Sequence, residues 1–190
     1  MNLLSGLFLF FLSAPVLAGP SLSTRQFNAT TKYHIKEPPL TTPWTYKIGT
    51  NPWTEYPRPK LQRSQWKNLN GIWTYKRASS LEAVNNPPFG QPLTQEVLVP
   101  SCLESGLSGV KGNWTLYSWF STHFTVPSTW TAPAAHQRIL LHFGAVDYEA
   151  TIFINGVKAA FHRGGYFEFT VDTTPFLKPG GNELYVALLF

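Results

Sequence analysis

Apolar and polar residues alternate with a period of two over several short stretches of this chain, and no stretch shows the three-to-four spacing of an amphipathic helix. The densest alternation lies in the run 147–172, DYEATIFINGVKAAFHRGGYFEFTVD. It predicts three consecutive strands joined by two tight turns. Asn155-Gly156 stands between two β-rich stretches and supplies the positive φ angles that a two-residue hairpin requires. Gly164-Gly165 then breaks the pattern. Beyond it Phe167, Phe169 and Val171 fall on one side of a strand and Glu168, Thr170 and Asp172 on the other, so one face is expected buried and the other wet.

The same reasoning predicts further strands at Gly71–Lys76, Glu96–Ser101, Leu116–Val126, Arg138–Phe143 and Asn182–Phe190. In the third of these, Phe120, Thr122, Phe124 and Val126 share a face opposite Tyr117, Trp119, Ser121 and His123. In the fourth, Ile139, Leu141 and Phe143 point inward. The intervening stretches 78–94, 101–115 and 127–137 are rich in Gly, Pro, Ser and Asn and are expected as loops. At least eight short strands with many turns indicate an all-β sandwich.

Before the first strand the pattern changes twice. Residues 1–18 hold an apolar block from Leu3 to Leu12, then Pro15, Val16 and Ala18, which predicts a secretory signal peptide. The block is shorter than the roughly 20 residues that span a bilayer, so no membrane association is expected after its removal. Residues 19–64 form a lead-in, dense in proline and aromatics from Glu37 to Lys60. Prolines at that density exclude helix and central strand and permit an extended arm whose aromatics lie against a neighbouring surface. The sandwich itself is expected over residues 65–190. The chain finishes on Leu188-Leu189-Phe190 without a polar tail, which points to a piece of a longer protein.

Apolar residues at 43% of the chain suffice for a packed core. The net charge of +5 comes from the early part, where ten Lys/Arg up to Arg77 face only Glu37 and Glu55. Those charges are scattered among prolines and form no stripe, so a nucleic-acid partner is not expected. Secretion gives meaning to two sequons, Asn28-Ala29-Thr30 and Asn113-Trp114-Thr115, as N-glycosylation sites on exposed loops. The single Cys102 excludes an internal disulfide, and burial is its expected state.

Candidate chemistry is sparse. His34, His123, His136, His142 and His162 show no ligand spacing, and one cysteine excludes the usual structural zinc sets, so no metal site is expected. No phosphate-binding glycine loop is present, and no cofactor is expected. Gly106-Leu107-Ser108-Gly109-Val110 lacks the last glycine of a nucleophile elbow. Asp147 and Glu149, two apart, share a strand face, but structural carboxylates at a strand start are the expected reading. His162 is expected to fix its turn through a backbone hydrogen bond.

Several of these stretches together resemble glycoside hydrolase family 2, the β-galactosidase and β-glucuronidase group, in its N-terminal sugar-binding domain. The carriers are NLNGIW at 68–73, the Val-Pro-Ser step at 99–101 and YSWFSTHFTVP at 117–127. DYEATIFING, HRGGY, FEFTVD and the final NELYVALLF complete the series, over roughly Gln65 to the end. The resemblance implies a jelly-roll β-sandwich of the galactose-binding-domain-like type. It implies that the two carboxylates of retaining hydrolysis, about 5–5.5 Å apart, come from a separate C-terminal barrel of about 250 residues. It further implies carbohydrate as the partner of the intact enzyme. Any acidic sugar contact from the β-domain is implied on a loop beyond the last strand here, so no catalytic or substrate-binding residue is carried over. The other reading is a stand-alone secreted carbohydrate-binding module or lectin, using exposed aromatics such as Trp119 or Trp130.

Overall fold

The computed structural model describes residues 31–130 and 137–190. The expected signal peptide and Asn28 lie outside the described residues. Eight strands form within them: β1 (Gly71–Arg77), β2 (Gln95–Val99), β3 (Tyr117–Thr125), β4 (Leu140–Phe143), β5 (Glu149–Ile154), β6 (Val157–Arg163), β7 (Phe169–Asp172) and β8 (Gly181–Leu189). The one α-helical segment among them is α1 (Leu81–Val84). The architecture is all-β, as the alternation predicts.

Six strands form one antiparallel sheet in the order β2-β1-β3-β8-β5-β6, and β4 pairs with β7 in a second, two-stranded sheet. The Asn155-Gly156 hairpin is present, with φ values of 52° and 83°. The second expected connection differs. The chain leaves β6 at Gly164, and β7 pairs with β4 in the other layer, Phe169 opposite Phe143. Gly-Gly here therefore serves a change of sheet. A hairpin and a crossover both begin with the same break in alternation, and local pattern does not separate them.

The first face of the large sheet carries Trp73, Tyr75, Phe120, Phe124, Ile152, Ile154, Leu184 and Val186, all buried, with Val171, Leu141 and Phe143 of the small sheet packed on them. The opposite face, where the lectin reading calls for an exposed Trp119, is buried too. Trp119, Phe153, Tyr185 and Ala187 form a second core there, covered by Ala78, Val84 and Leu93. The cover is the stretch 78–94, which is thus a structural lid and not a surface loop. Ser80 caps α1 by accepting a 3.1 Å hydrogen bond from the Ala83 amide. The Tyr185 hydroxyl donates to the carbonyls of Pro88 and Gln91, at 3.1 Å each. Burial, with the Glu183 charge adding to it, pushes its pKa up to about 12, so the hydroxyl remains a donor.

The lead-in divides into two parts. Residues 31–37 form an arm along β2: the Tyr33 amide donates to Glu96 Oε2 at 2.8 Å and Lys32 Nζ to Glu96 Oε1 at 2.9 Å. The Glu96 amide donates to the Thr31 carbonyl at 2.9 Å, and the Lys36 amide to the Gly106 carbonyl at 3.0 Å. A β-carbon on Gly106 would lie 2.2 Å from the Lys36 carbonyl oxygen, so only glycine admits the arm. Farther on, Trp44, Tyr46 and Trp53 are 68%, 60% and 68% exposed. These rings do not lie against a neighbouring surface as expected; Tyr56 alone of the group finds a ring partner, Trp66, at 4.7 Å.

Burial raises the pKa of Glu96, but the Tyr33 amide and Lys32 outweigh it and hold the carboxyl below its ordinary value. A depressed folded value means that its contribution is complete at neutral pH and is lost as pH falls through that value. Acidification is expected to lower the protection factor of the Tyr33 amide, its slowing relative to the intrinsic exchange rate at the same pH, ahead of the core amides. Glu96→Gln is expected to lower that factor at neutral pH and to flatten its pH dependence; an unchanged profile contradicts this.

Candidate functional site

Among the described residues a half-open cleft lies between the first face of the large sheet, the small sheet and the segment 53–70. Its volume is about 1420 Å³. Its floor is apolar, with Phe120, Phe124, Leu184, Val186 and Leu188 contributed by β3 and β8. Leu141, Phe143 and Phe169 form one wall, and Trp66 and Leu69 another.

Polar groups gather at its margin. Arg58 Nη2 holds both oxygens of Glu168 at 2.8 and 2.9 Å. His142 Nδ1 lies 2.8 Å from Thr170 Oγ1. Burial first, then the Arg58 and Arg63 charges, lowers the His142 pKa, with Glu168 opposing. Asp172 is held below its ordinary value mainly by its hydrogen bonds from Thr174, with Arg138 at 3.2 Å adding to them. Sequence reading missed this cluster, because Arg58 and Glu168 are 110 residues apart and no local pattern joins them.

The residues of the H-G-G step act as a joint between the two layers. His162 Nε2 donates to the Gly164 carbonyl at 3.0 Å, the role expected for it. Its ring also stacks on Phe169, centroids 4.0 Å apart, and Phe169 stacks on Phe143 at 4.6 Å. Three parallel rings thus tie β6, at the edge of the large sheet, to both strands of the small one. Gly164, with φ of 129°, donates its amide to the Tyr148 carbonyl at 2.8 Å. A β-carbon on Gly165 would lie 2.5 Å from Asp147 Oδ1, so that glycine makes room for the carboxylate.

Asp147 and Glu149 do not share a face. Asp147 lines the large concavity, whereas Glu149 borders a small crevice on the other side of the sheet. β5 begins at Glu149, so strand alternation does not extend back to Asp147. Glu149 instead meets its cross-strand neighbour Arg163 at 2.5 Å. Among the acids of this region, Glu168, Asp172 and Glu149 are each engaged with an arginine: Arg58, Arg138 and Arg163.

Two other expectations change. Cys102 is exposed, not buried; its thiol donates to Glu104 Oε2 at 2.7 Å. That hydrogen bond, with burial second, raises its pKa and leaves it a poor nucleophile. The strand ends before it, at Val99, so the side chain has no core to enter. Trp119, offered as an exposed sugar platform, is 7% exposed, and its indole donates to the Val84 carbonyl at 3.1 Å. Trp130 is half-buried. Asn113 lies exposed in an irregular segment before β3. Among the described residues no group of three or more His, Cys, Asp or Glu is placed to hold a metal ion.

Comparison with known proteins agrees with this architecture. Residues 83–190, more than half of the chain, match the family described as glycosyl hydrolases family 2, sugar binding domain. A β-glucuronidase of Paenibacillus borealis is 27% identical over 130 residues, covering 66% of this chain and 21% of that protein. The β-glucuronidase of Felis catus is 28% identical over 134 residues, covering 66% and 20%. Among solved structures, a β-glucuronidase from an uncultured Clostridium superposes with a TM-score of 0.52 at 28% identity, over 67% of this chain and 23% of that one. The Lactobacillus rhamnosus β-glucuronidase gives 0.53 at 26%, over 68% and 22%. The chain spans about a fifth of the length of these relatives. With the sandwich, the ordered series of motifs and the family match in agreement, the chain belongs to glycosyl hydrolases family 2 and represents its sugar binding domain.

Proposed function

We propose that this chain is the N-terminal, non-catalytic β-sandwich of a secreted family 2 glycosidase whose intact form hydrolyses O-glycosyl bonds in β-glucuronide or β-galactoside substrates. Its role there is to pack against a separate catalytic domain and shape the edge of the carbohydrate pocket. The observation that carries the reading is the share of the relatives covered: the similarity is confined to about a fifth of proteins named β-glucuronidase. The acids of the sandwich support it, since Glu168 and Glu149 are engaged with Arg58 and Arg163, whereas retaining hydrolysis calls on two carboxylates free to act on the substrate. The purified chain is expected to release no chromophore from aryl β-glucuronides or β-galactosides; turnover that copurifies with the chain refutes the non-catalytic role.

Secretion is supported by the apolar leader at 1–18 and by the exposed position of the Asn113 sequon. Expressed in a secreting eukaryotic cell, the chain is expected to lose mass on treatment with an N-glycosidase. Asn113→Gln is expected to remove one glycan and leave the contribution of Asn28. Secreted material with unchanged mobility counts against both sites.

A further inference from the structure

The positive charge of the chain is concentrated in one part of it. Between Tyr56 and Glu82 the sequence holds six Lys/Arg and no acid. Spaced among prolines, they make no dense run along the chain, but the fold leaves the first three on one open ribbon. Residues 57–65 are exposed throughout, and they carry Arg58, Lys60 and Arg63 around the short 3-10 turn Pro59–Leu61.

The ribbon meets the small sheet where Arg58 pairs with Glu168. Lys60 and Arg63 have no side-chain partner among the described residues, so both are available to a ligand. Glu168 does not cancel the field of these cations. At His142 on β4, burial is the largest cause of a lowered pKa, and Arg58 and Arg63 follow it, each outweighing the opposing Glu168. A positive surface open to solvent raises the local concentration of anions, and short basic segments of this kind are a common footprint of polyanion binding. Pro57 and Pro59 fix two φ angles of the ribbon, so less backbone freedom is lost when a ligand orders it. Trp53, exposed on the same cleft as Arg58 and Arg63, offers a flat apolar face for a sugar ring.

We infer that the ribbon 57–65 is an anchoring site for an acidic polysaccharide, whose sulfate or carboxylate groups meet Arg58, Lys60 and Arg63 in turn. The site holds polymer at the surface and takes no part in bond cleavage. Polysaccharide is favoured over nucleic acid on the proposed reading of the chain as part of a secreted glycosidase, and the inference rests on that reading to this extent.

Titration calorimetry of the 190-residue chain with a heparin decasaccharide and with an unsulfated hyaluronan decasaccharide tests it. Heparin is expected to bind, with an affinity that falls as salt rises; binding by heparin alone assigns sulfate as the recognised group, and binding by both shows that carboxylate suffices. Lys60→Ala/Arg63→Ala removes two partnerless side chains, so the melting temperature is expected to hold while the affinity drops roughly tenfold. Lys158→Ala/Lys178→Ala removes the same charge elsewhere and is expected to change affinity by less than about twofold. Bound anions offset the Arg58 and Arg63 charges, so the His142 pKa followed by NMR is expected to rise with heparin present. Absence of binding at about 0.15 M salt, equal losses in the two double variants, or an unmoved His142 overturns the inference and leaves the glycosidase reading standing. Tighter binding of a single-stranded oligonucleotide of equal charge overturns polysaccharide as the partner. The glycosidase reading stands or falls by the aryl-glycoside assay above, which none of these results touches.

Discussion

Asn182→Ala is expected to lower the unfolding free energy by about 3–5 kcal/mol, since it leaves several buried polar groups without partners at about 1–3 kcal/mol each. Asn182 is 1% exposed and uses its whole hydrogen-bonding capacity. Its Oδ1 accepts from the Lys178 amide at 2.9 Å and from Asn155 Nδ2 at 2.8 Å. Its Nδ2 donates to the Lys178 and Gly180 carbonyls, both at 3.2 Å. Asn155 continues the network by donating to the Phe176 carbonyl at 2.8 Å and accepting from the Glu183 amide at 3.0 Å. The β5–β6 turn, the 174–178 connection and the start of β8 are thus joined through two side-chain amides. Asn155→Gly keeps the positive φ of the turn and removes only the network. Because the two amides bond each other, the double variant is expected to lose less than the sum of the singles, by about 1 kcal/mol or more. Urea unfolding of the four proteins measures this; additive losses contradict a shared network.

Trp119→Ala is expected to remove about 3–5 kcal/mol, the range for deleting a large buried aromatic. Trp119→Phe keeps most of the volume but abandons the bond to the Val84 carbonyl, and a loss of about 1–2 kcal/mol is expected. Had this face been solvated, as an exposed sugar platform at Trp119 requires, both changes would stay within about 0.5 kcal/mol. The series therefore measures how firmly the 78–94 lid is seated, and thermal unfolding of the two variants separates the cases. A near-neutral Trp119→Ala would mean that the lid is open in solution.

What could be read from residues alone was what neighbours in sequence decide. The alternation in 117–125 placed Phe120 and Phe124 opposite Trp119 correctly, because a pleated strand fixes side-chain direction residue by residue. Asn155-Gly156 announced its hairpin through the φ values that only such a pair adopts easily. His162 found its backbone acceptor two residues away. What failed was decided by distant partners. Whether the Trp119 face is wet depends on the 78–94 lid, which has no periodicity to betray its role. The separation of Asp147 from Glu149 depends on where β5 starts, and strand ends are set by pairing with β6 and β8. The margin cluster of Arg58, Glu168 and His142 is assembled from the lead-in and the small sheet, and exists only once both have folded.

The arm at 31–37 has a bearing on how molecules of this protein meet one another. It obstructs the backbone of β2 at Gln95 and Glu96, whereas β6 at the far side of the large sheet has no strand beyond it among the described residues. A ribbon closed on one flank has room for a single neighbour on the other. Two copies can join there back to back, β6 against β6, and a third then finds no open flank on the large sheet among the described residues.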